Sequence, residues 1–202
     1  LEVRPAALDG VCYPAEHDAL EKYLDAQFEH AAQRMAEAGQ PAATPRADPR
    51  ALLAPHLDPR REWHVIARAY LELGADVEPP LRVVVFGTGH NLGDQFVALT
   101  RKKFETPFGQ VACDTAFVDL VAERLGDDAY RRELVHRDEH SIEFQVLYLQ
   151  RRLRDRRFTI VPILCGGFHR LLDDRKKPRE EPVIETLVTA VREAEAKFGG
   201  PT

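Results

Sequence analysis

Three histidines stand where a chain of this kind could do chemistry. His56 follows the apolar run Ala51-Leu52-Leu53-Ala54 and Pro55, and His90 follows Val83-Val84-Val85-Phe86 within Gly87-Thr88-Gly89-His90-Asn91. His140 lies in Asp138-Glu139-His140-Ser141-Ile142-Glu143. Ligands in open α/β sheets gather outside the carboxyl ends of the strands. If both apolar runs are strands, His56 and His90 reach one functional edge. Neutral imidazoles ligate iron, zinc and copper, so the pair is a candidate metal seat. A histidine at a strand end also serves as a hydrogen-bonded structural residue, and spacing alone leaves both readings open. Gly87 and Gly89 let the backbone turn sharply and approach a ligand, which makes Thr88 and Gly89 candidate binding positions. The segment lacks the GxGxxG spacing and the phosphate-loop lysine, which argues against a phosphate cradle. His140 and Glu143 are three residues apart and share a helix face, where they could donate or accept a proton beside a metal. Glu139 adds a carboxylate to that turn. The competing reading of this cluster is a helix start, with Asp138 or Ser141 as cap.

The elements that would position these groups follow from periodicity. Residues 5–14 read as an extended arm or strand. Residues 16–38 are rich in helix formers, with Leu20, Tyr23, Leu24 and Phe28 on one face and Gly39 as the stop. The Pro/Ala-rich segment 40–49 reads as a loop. Residues 51–54 suggest a short buried strand. An amphipathic helix is expected over 62–73, with Val65, Ile66, Ala69, Tyr70 and Leu73 inward. Residues 83–86 form the best central-strand candidate. Further strands are expected at 96–100, twice within 104–113, and at 158–164. Asp114 is a good N-cap for a helix over 115–125, and Gly126 follows it. Helices over 139–153 and 183–197 complete the pattern. Alternating strands and helices define an α/β class with a mostly parallel central sheet flanked by helices. One domain is expected over residues 1–202, with an N-terminal arm and helix over 1–49. His17, His30, His64 and His136, and the basic run Arg151–Arg157, read as surface; His169 is a weaker extra candidate.

Composition bounds the function. The chain has 202 residues, 28 Lys+Arg against 33 Asp+Glu, and a net charge of -5. An acidic balance argues against a general nucleic-acid binder. No apolar run approaches the ~18 residues of a membrane span. The three cysteines, Cys12, Cys113 and Cys165, are far apart and form no CxxC pair, a pattern suited to a reducing cytoplasm. The chain begins at Leu1, not at an initiator methionine, so a trimmed start or a piece of a longer protein is expected.

Taken in order, the motifs resemble those of the Memo family, which includes the protein B type of the bacterial AmmeMemoRadiSam system. Gly10-Val11-Cys12-Tyr13-Pro14 is similar to the family's AGxxYP arm, Ala54-Pro55-His56 to APHAGY, and Gly87-Thr88-Gly89-His90 to GPSHH. Ala98-Leu99-Thr100 and Thr106-Pro107-Phe108-Gly109 are similar to ALT and TPLG. Glu139-His140-Ser141-Ile142-Glu143 and Ile160-Val161-Pro162-Ile163-Leu164 match EHSIE and IVPIL. The resemblance implies a fold like that of class III extradiol dioxygenases, with His56 and His90 at metal-binding positions and His140 as a pocket histidine. It implies a divalent metal, iron first with copper or zinc as alternatives, and a small-molecule or peptide ligand. Two departures stand out. Leu57-Asp58-Pro59 replaces the Ala-Gly-Tyr after PH, and Asp58 could be a metal ligand, a partner of His56 or a helix cap, the cap being preferred. The family also continues past the last helix into a strand, an Asp-x-x-His segment and often a pocket cysteine. Nothing here matches those parts, so an exposed sheet edge and a half-open pocket are expected. Three functions follow: a metal-dependent oxygenase-like enzyme, a non-catalytic ligand- or metal-handling module, and a metal-assisted hydrolase. A homo-oligomer is left open.

Overall fold

A computed structural model of the chain describes residues 2–41, 51–61, 63–73, 81–154 and 157–199. The expected loop over 40–49 falls almost wholly outside them. Six strands form a mixed sheet: β1 (Val3–Arg4), β2 (Leu81–Thr88), β3 (Val97–Leu99), β4 (Lys103–Thr106), β5 (Gly109–Cys113) and β6 (Phe158–Cys165). The order is β1-β4-β5-β6-β2, with β3 also on β6. β6 pairs in parallel with β2 and β5 and antiparallel with β3. Along one side of β6, β5 pairs with Thr159 and Ile160 and β3 with Ile163 to Cys165. Pro162 has no N–H to give, and it falls in the gap between them.

Helices cover both faces. On one lie α1 (His17–Glu37), α2 (Trp63–Leu71) and α4 (His140–Leu153). Leu20, Leu24, Ile66, Tyr70, Leu147 and Tyr148 fill that layer, and Ile142 and Val146 meet Val85, Ile160 and Leu164. On the other lie α3 (Thr115–Leu125) and α6 (Pro182–Phe198), which close Phe117, Val121, Ala190 and Val191 over Val161 and Ile163. Two-sided burial explains why β6 reads as an unbroken apolar run. Asp114 caps α3 by accepting from the Phe117 N–H at 3.1 Å, as its position predicts. A short α5 (His169–Asp173) follows β6. No helix among the described residues is long and apolar enough to cross a membrane.

Several elements differ from expectation. Residues 51–54 are not a strand: Leu53 is 96% exposed and Leu52 is exposed as well. The run holds no β-branched residue, and Pro55 closes it. β2 is not central. Among the described residues it pairs only with β6, which leaves an open edge and Phe86 57% exposed. Its Val-rich pattern reports which faces are covered, not how many neighbours the strand has. Residues 5–14 form turns with one bridge, Asp9 to Tyr13. Val65 faces out of α2, and Ala67 takes the inward place. Arg151 is not a solvated cation; it is buried and pairs with Asp25 and Glu21 on α1. His136, expected on the surface, is 1% exposed and lies 3.0 Å (Nε2) from the Ala98 carbonyl.

Candidate metal centre

The structure brings His56, His90 and His140 together. One ring nitrogen from each lies within 4.8 Å of the others. Ring centroids are 4.7 Å apart for His90 and His140, 5.3 Å for His56 and His90, and 5.7 Å for His56 and His140. The three come from separate places. His90 follows β2, His140 is the first residue of α4, and His56 lies on an irregular segment.

Glycine explains how α4 reaches the end of β2. A Cβ at Gly87 would stand 2.5 Å from Ile142 Cγ1 and 2.7 Å from Ser141 Oγ. Without it, the Ser141 hydroxyl donates to the Thr88 carbonyl at 2.9 Å, so the first turn of α4 sits on the strand end. The sequence suggested that Gly87 and Gly89 serve a ligand. Instead Gly87 makes room for the protein itself, and a Cβ at Gly89 would strike Leu92. Thr88 and Gly89 therefore act through backbone: Gly89 N–H donates to the Cys165 carbonyl at 2.8 Å.

Glu139 is the carboxylate behind the rings. Its side chain is 2% exposed and accepts from the His90 N–H at 2.9 Å, from His90 Nδ1 at 3.0 Å and from the Ser141 N–H at 3.1 Å. The last contact makes Glu139 the N-cap of α4. His140 Nδ1 lies 3.2 Å from the same carboxylate. Burial works against the Glu139 carboxylate, but the two N–H groups and the His90 ring outweigh it and hold its pKa below the usual value. With His90 Nδ1–H donated to Glu139, Nε2 of a neutral ring keeps its lone pair for a metal. Burial lowers the His140 pKa, Glu139 opposes it, and the neighbouring His90 and His56 add to the lowering. His90 and His140 side chains are 43% and 34% exposed, so the cluster is open to solvent on one side.

Glu143 sits differently from Glu139. It is fully buried and takes hydrogen bonds from Arg4 Nη1, from the Tyr13 hydroxyl and from the N–H groups of Ala7 and Leu8. It ties the N-terminal arm to α4 and has no solvent-facing oxygen to offer a substrate. Arg4 also donates to the His136 and Glu139 carbonyls at 2.9 Å each. This guanidinium fixes the turn leading into the site, and no sequence pattern marked it. Asp58 is not among the three-histidine donors. It pairs with Arg60 and accepts from the Arg60 N–H at 2.9 Å, closing a turn five residues before α2. Asp138 is exposed and pairs with Arg137. His169 is exposed and lies outside the cluster.

Comparison with known proteins gives a consistent result. The family model for Memo-like proteins matches residues 4–174. A MEMO1 family protein of Thermus thermophilus is 29% identical over 198 residues, covering 97% of this chain and 56% of the relative. One from Methanopyrus kandleri is 30% identical over 181 residues, 86% of this chain and 59% of the relative. One from Thermotoga neapolitana is 30% identical over 199 residues, 97% of this chain and 66% of the relative. The chain thus spans a little over half the length of the first curated relatives it matches.

Proposed function

The chain belongs to the Memo family, and from that premise we propose that it holds a divalent metal through His56, His90 and His140, with iron as the resident ion. The observation that carries this is the meeting of three imidazole donors with one buried carboxylate behind two of them. The donor set fits: neutral imidazoles suit iron, zinc and copper and do not suit magnesium or calcium. A bound ion there supplies Lewis acidity and, if it is redox-active, electron transfer. The protein's own residues set the rest. Glu139 fixes the His90 tautomer, Arg4 and Glu143 hold the turn and helix, and the exposed side of the rings leaves room for an exogenous small molecule or peptide. With the dioxygenase-like fold that the Memo resemblance implies, the reaction proposed is an oxygen-dependent oxidation of a small aromatic or polar molecule.

One observation favours a second reading. The three donors brought together among the described residues are all imidazoles, with no carboxylate among them. A three-histidine set with an open fourth position also suits hydrolytic zinc. Metal analysis of the full-length protein, purified without chelator, tests the core proposal. About one ion per chain is expected for such a three-donor site, and His90→Ala should lose it; a metal-free preparation overturns it. A substrate screen run with and without oxygen then separates oxidation from hydrolysis. Binding without turnover in either condition identifies a ligand-handling module.

A further inference from the structure

His56 is the one histidine of the three with no regular element beneath it. Residues 51–58 form neither strand nor helix, so no ladder fixes them. Yet the His56 ring is held within 5.7 Å of both partner rings. Prolines bracket the segment at Pro55 and Pro59, and their carbonyls need donors from elsewhere.

Two buried glutamines supply them. Gln145 of α4 donates from Nε2 to the Pro55 carbonyl at 3.4 Å, and its Oε1 accepts from the Tyr70 hydroxyl at 2.8 Å. Gln27 of α1 donates from Nε2 to the Pro59 carbonyl at 3.3 Å, and its Oε1 accepts from the Tyr148 hydroxyl. The Tyr23 hydroxyl also donates to Pro59 at 2.9 Å. Each tyrosine fixes which end of its amide faces the backbone, because a hydroxyl that donates to Oε1 leaves Nε2 for the carbonyl. Burial raises the pKa of both Tyr70 and Tyr148, so they stay neutral donors. The two tyrosines stack at 5.5 Å and 12°, which joins the arms into one unit. Gln27 and Gln145 are 2% and 8% exposed in a layer filled mainly by apolar side chains. A buried amide is costly unless every hydrogen bond is made, and a leucine would pack there without that demand.

We infer that Tyr70–Gln145 and Tyr148–Gln27 are positioning residues that hold the Pro55–Pro59 segment at both ends and so place His56 for metal binding. The inference rests on the proposed metal centre. It adds that the third ligand is held by side-chain amides reaching through the core, not by the sheet.

The test uses the full-length protein with cobalt(II) as probe and a metal-free readout beside it. Gln145→Met and Gln27→Met keep side-chain volume and remove the donor. Leu147→Met changes the same layer without removing a hydrogen-bond donor and controls for general destabilisation. Outer-sphere contacts of this kind are worth about 10- to 100-fold in metal affinity. Both glutamine variants should weaken cobalt by that factor and alter its visible absorption, while Leu147→Met should leave both as in the wild type. In the metal-free protein, the His56 ring should give one sharp NMR signal in the wild type and a broadened or split one in the glutamine variants. Should Gln145→Met fail to fold, Tyr70→Phe, which removes only the hydroxyl that orients the amide, carries the same expectation at smaller size. Cobalt affinity within twofold of wild type in the glutamine variants overturns the inference and leaves the metal centre standing. A wild type that binds no cobalt overturns the metal centre instead, and the His56 signal alone then decides whether the amides hold the segment.

Discussion

Acid should destabilise this protein through His136, and the size of the effect can be worked out. The ring is 1% exposed, with Nε2 3.0 Å from the Ala98 carbonyl and the edge of Phe104 against it. In the neutral ring Nε2 therefore carries the hydrogen, and Nδ1 is buried without a partner. Protonation would place an N–H and a charge in that apolar surrounding. Burial lowers the pKa; the Ala98 carbonyl and Glu133 oppose it, Arg4 adds to it and Glu139 opposes it, with the result pushed from 6.5 down to about 4. At 1.36 kcal/mol per pH unit of displacement, that gap is worth about 3 kcal/mol. The sign follows from proton counting. Between pH 6.5 and 4 the unfolded chain binds the proton and the native chain does not. The stabilisation is therefore complete above pH 6.5, falls as pH drops, and levels off below about 4. Urea unfolding of wild type and His136→Gln at several pH values between 7 and 4 isolates the term, because the other groups titrate in both proteins. The difference in unfolding free energy should change by about 3 kcal/mol across that range, with the wild type losing more. A difference that does not vary with pH would refute the argument, since it would mean that His136 binds its proton equally well in both states.

Other consequences are independent of that titration. Glu139→Gln should weaken metal binding by about 10- to 100-fold, measured by competition with a chelator, because His90 loses the carboxylate that fixes its tautomer. Arg4→Met should cost about 3–5 kcal/mol in urea unfolding by stranding the buried Glu143 charge, and pairing it with Glu143→Gln should recover part of the loss, because the neutral amide removes the charge and its oxygen still accepts from Tyr13 and the arm. Gly87→Ala should cost about 1–3 kcal/mol by thermal melting, since its new methyl must displace Ile142 or lift α4 from β2.

What the sequence reveals depends on how local the cause is. The Asp114 cap and Gly126 stop bound α3 because the capping bond closes within three residues. β6 and α6 are legible because apolar periodicity reports which faces are covered, whereas the five-residue α5 is too short to show a period. The irregular backbone at 51–54 and the edge position of β2 are not legible because pairing is a property of neighbours, and no run of residues encodes how many strands lie beside it. The burial of His136 escapes the sequence for a related reason: its neighbours Ala98, Phe104 and Arg4 lie 32 to 132 residues away in the chain. The three histidines were visible through the turns and glycines around them. The groups that hold them in place, Arg4, Gln27, Tyr70 and Gln145, carry no local mark, since each works through a contact over a long sequence separation.

The centre is therefore held in two different ways. His90 and His140 flank one buried carboxylate, and their geometry is electrostatic: Glu139 stays ionised because two backbone N–H groups and an imidazole N–H surround it. His56 has no such partner among the described residues and depends on carbonyls held by amides. The two supports share no residue, though Glu139 and Gln145 lie on the same helix start and first turns of α4. Losses in metal affinity from Glu139→Gln and Gln145→Met should then add in free energy, to within about 0.5 kcal/mol, if each acts on its own ligand. A combined loss well below the sum would mean that α4 itself shifts in either variant, and that its seat on β2 through Gly87 and Ser141, not the separate supports, governs all three histidines. Isothermal titration of cobalt(II) into the two single variants and the double variant decides between them.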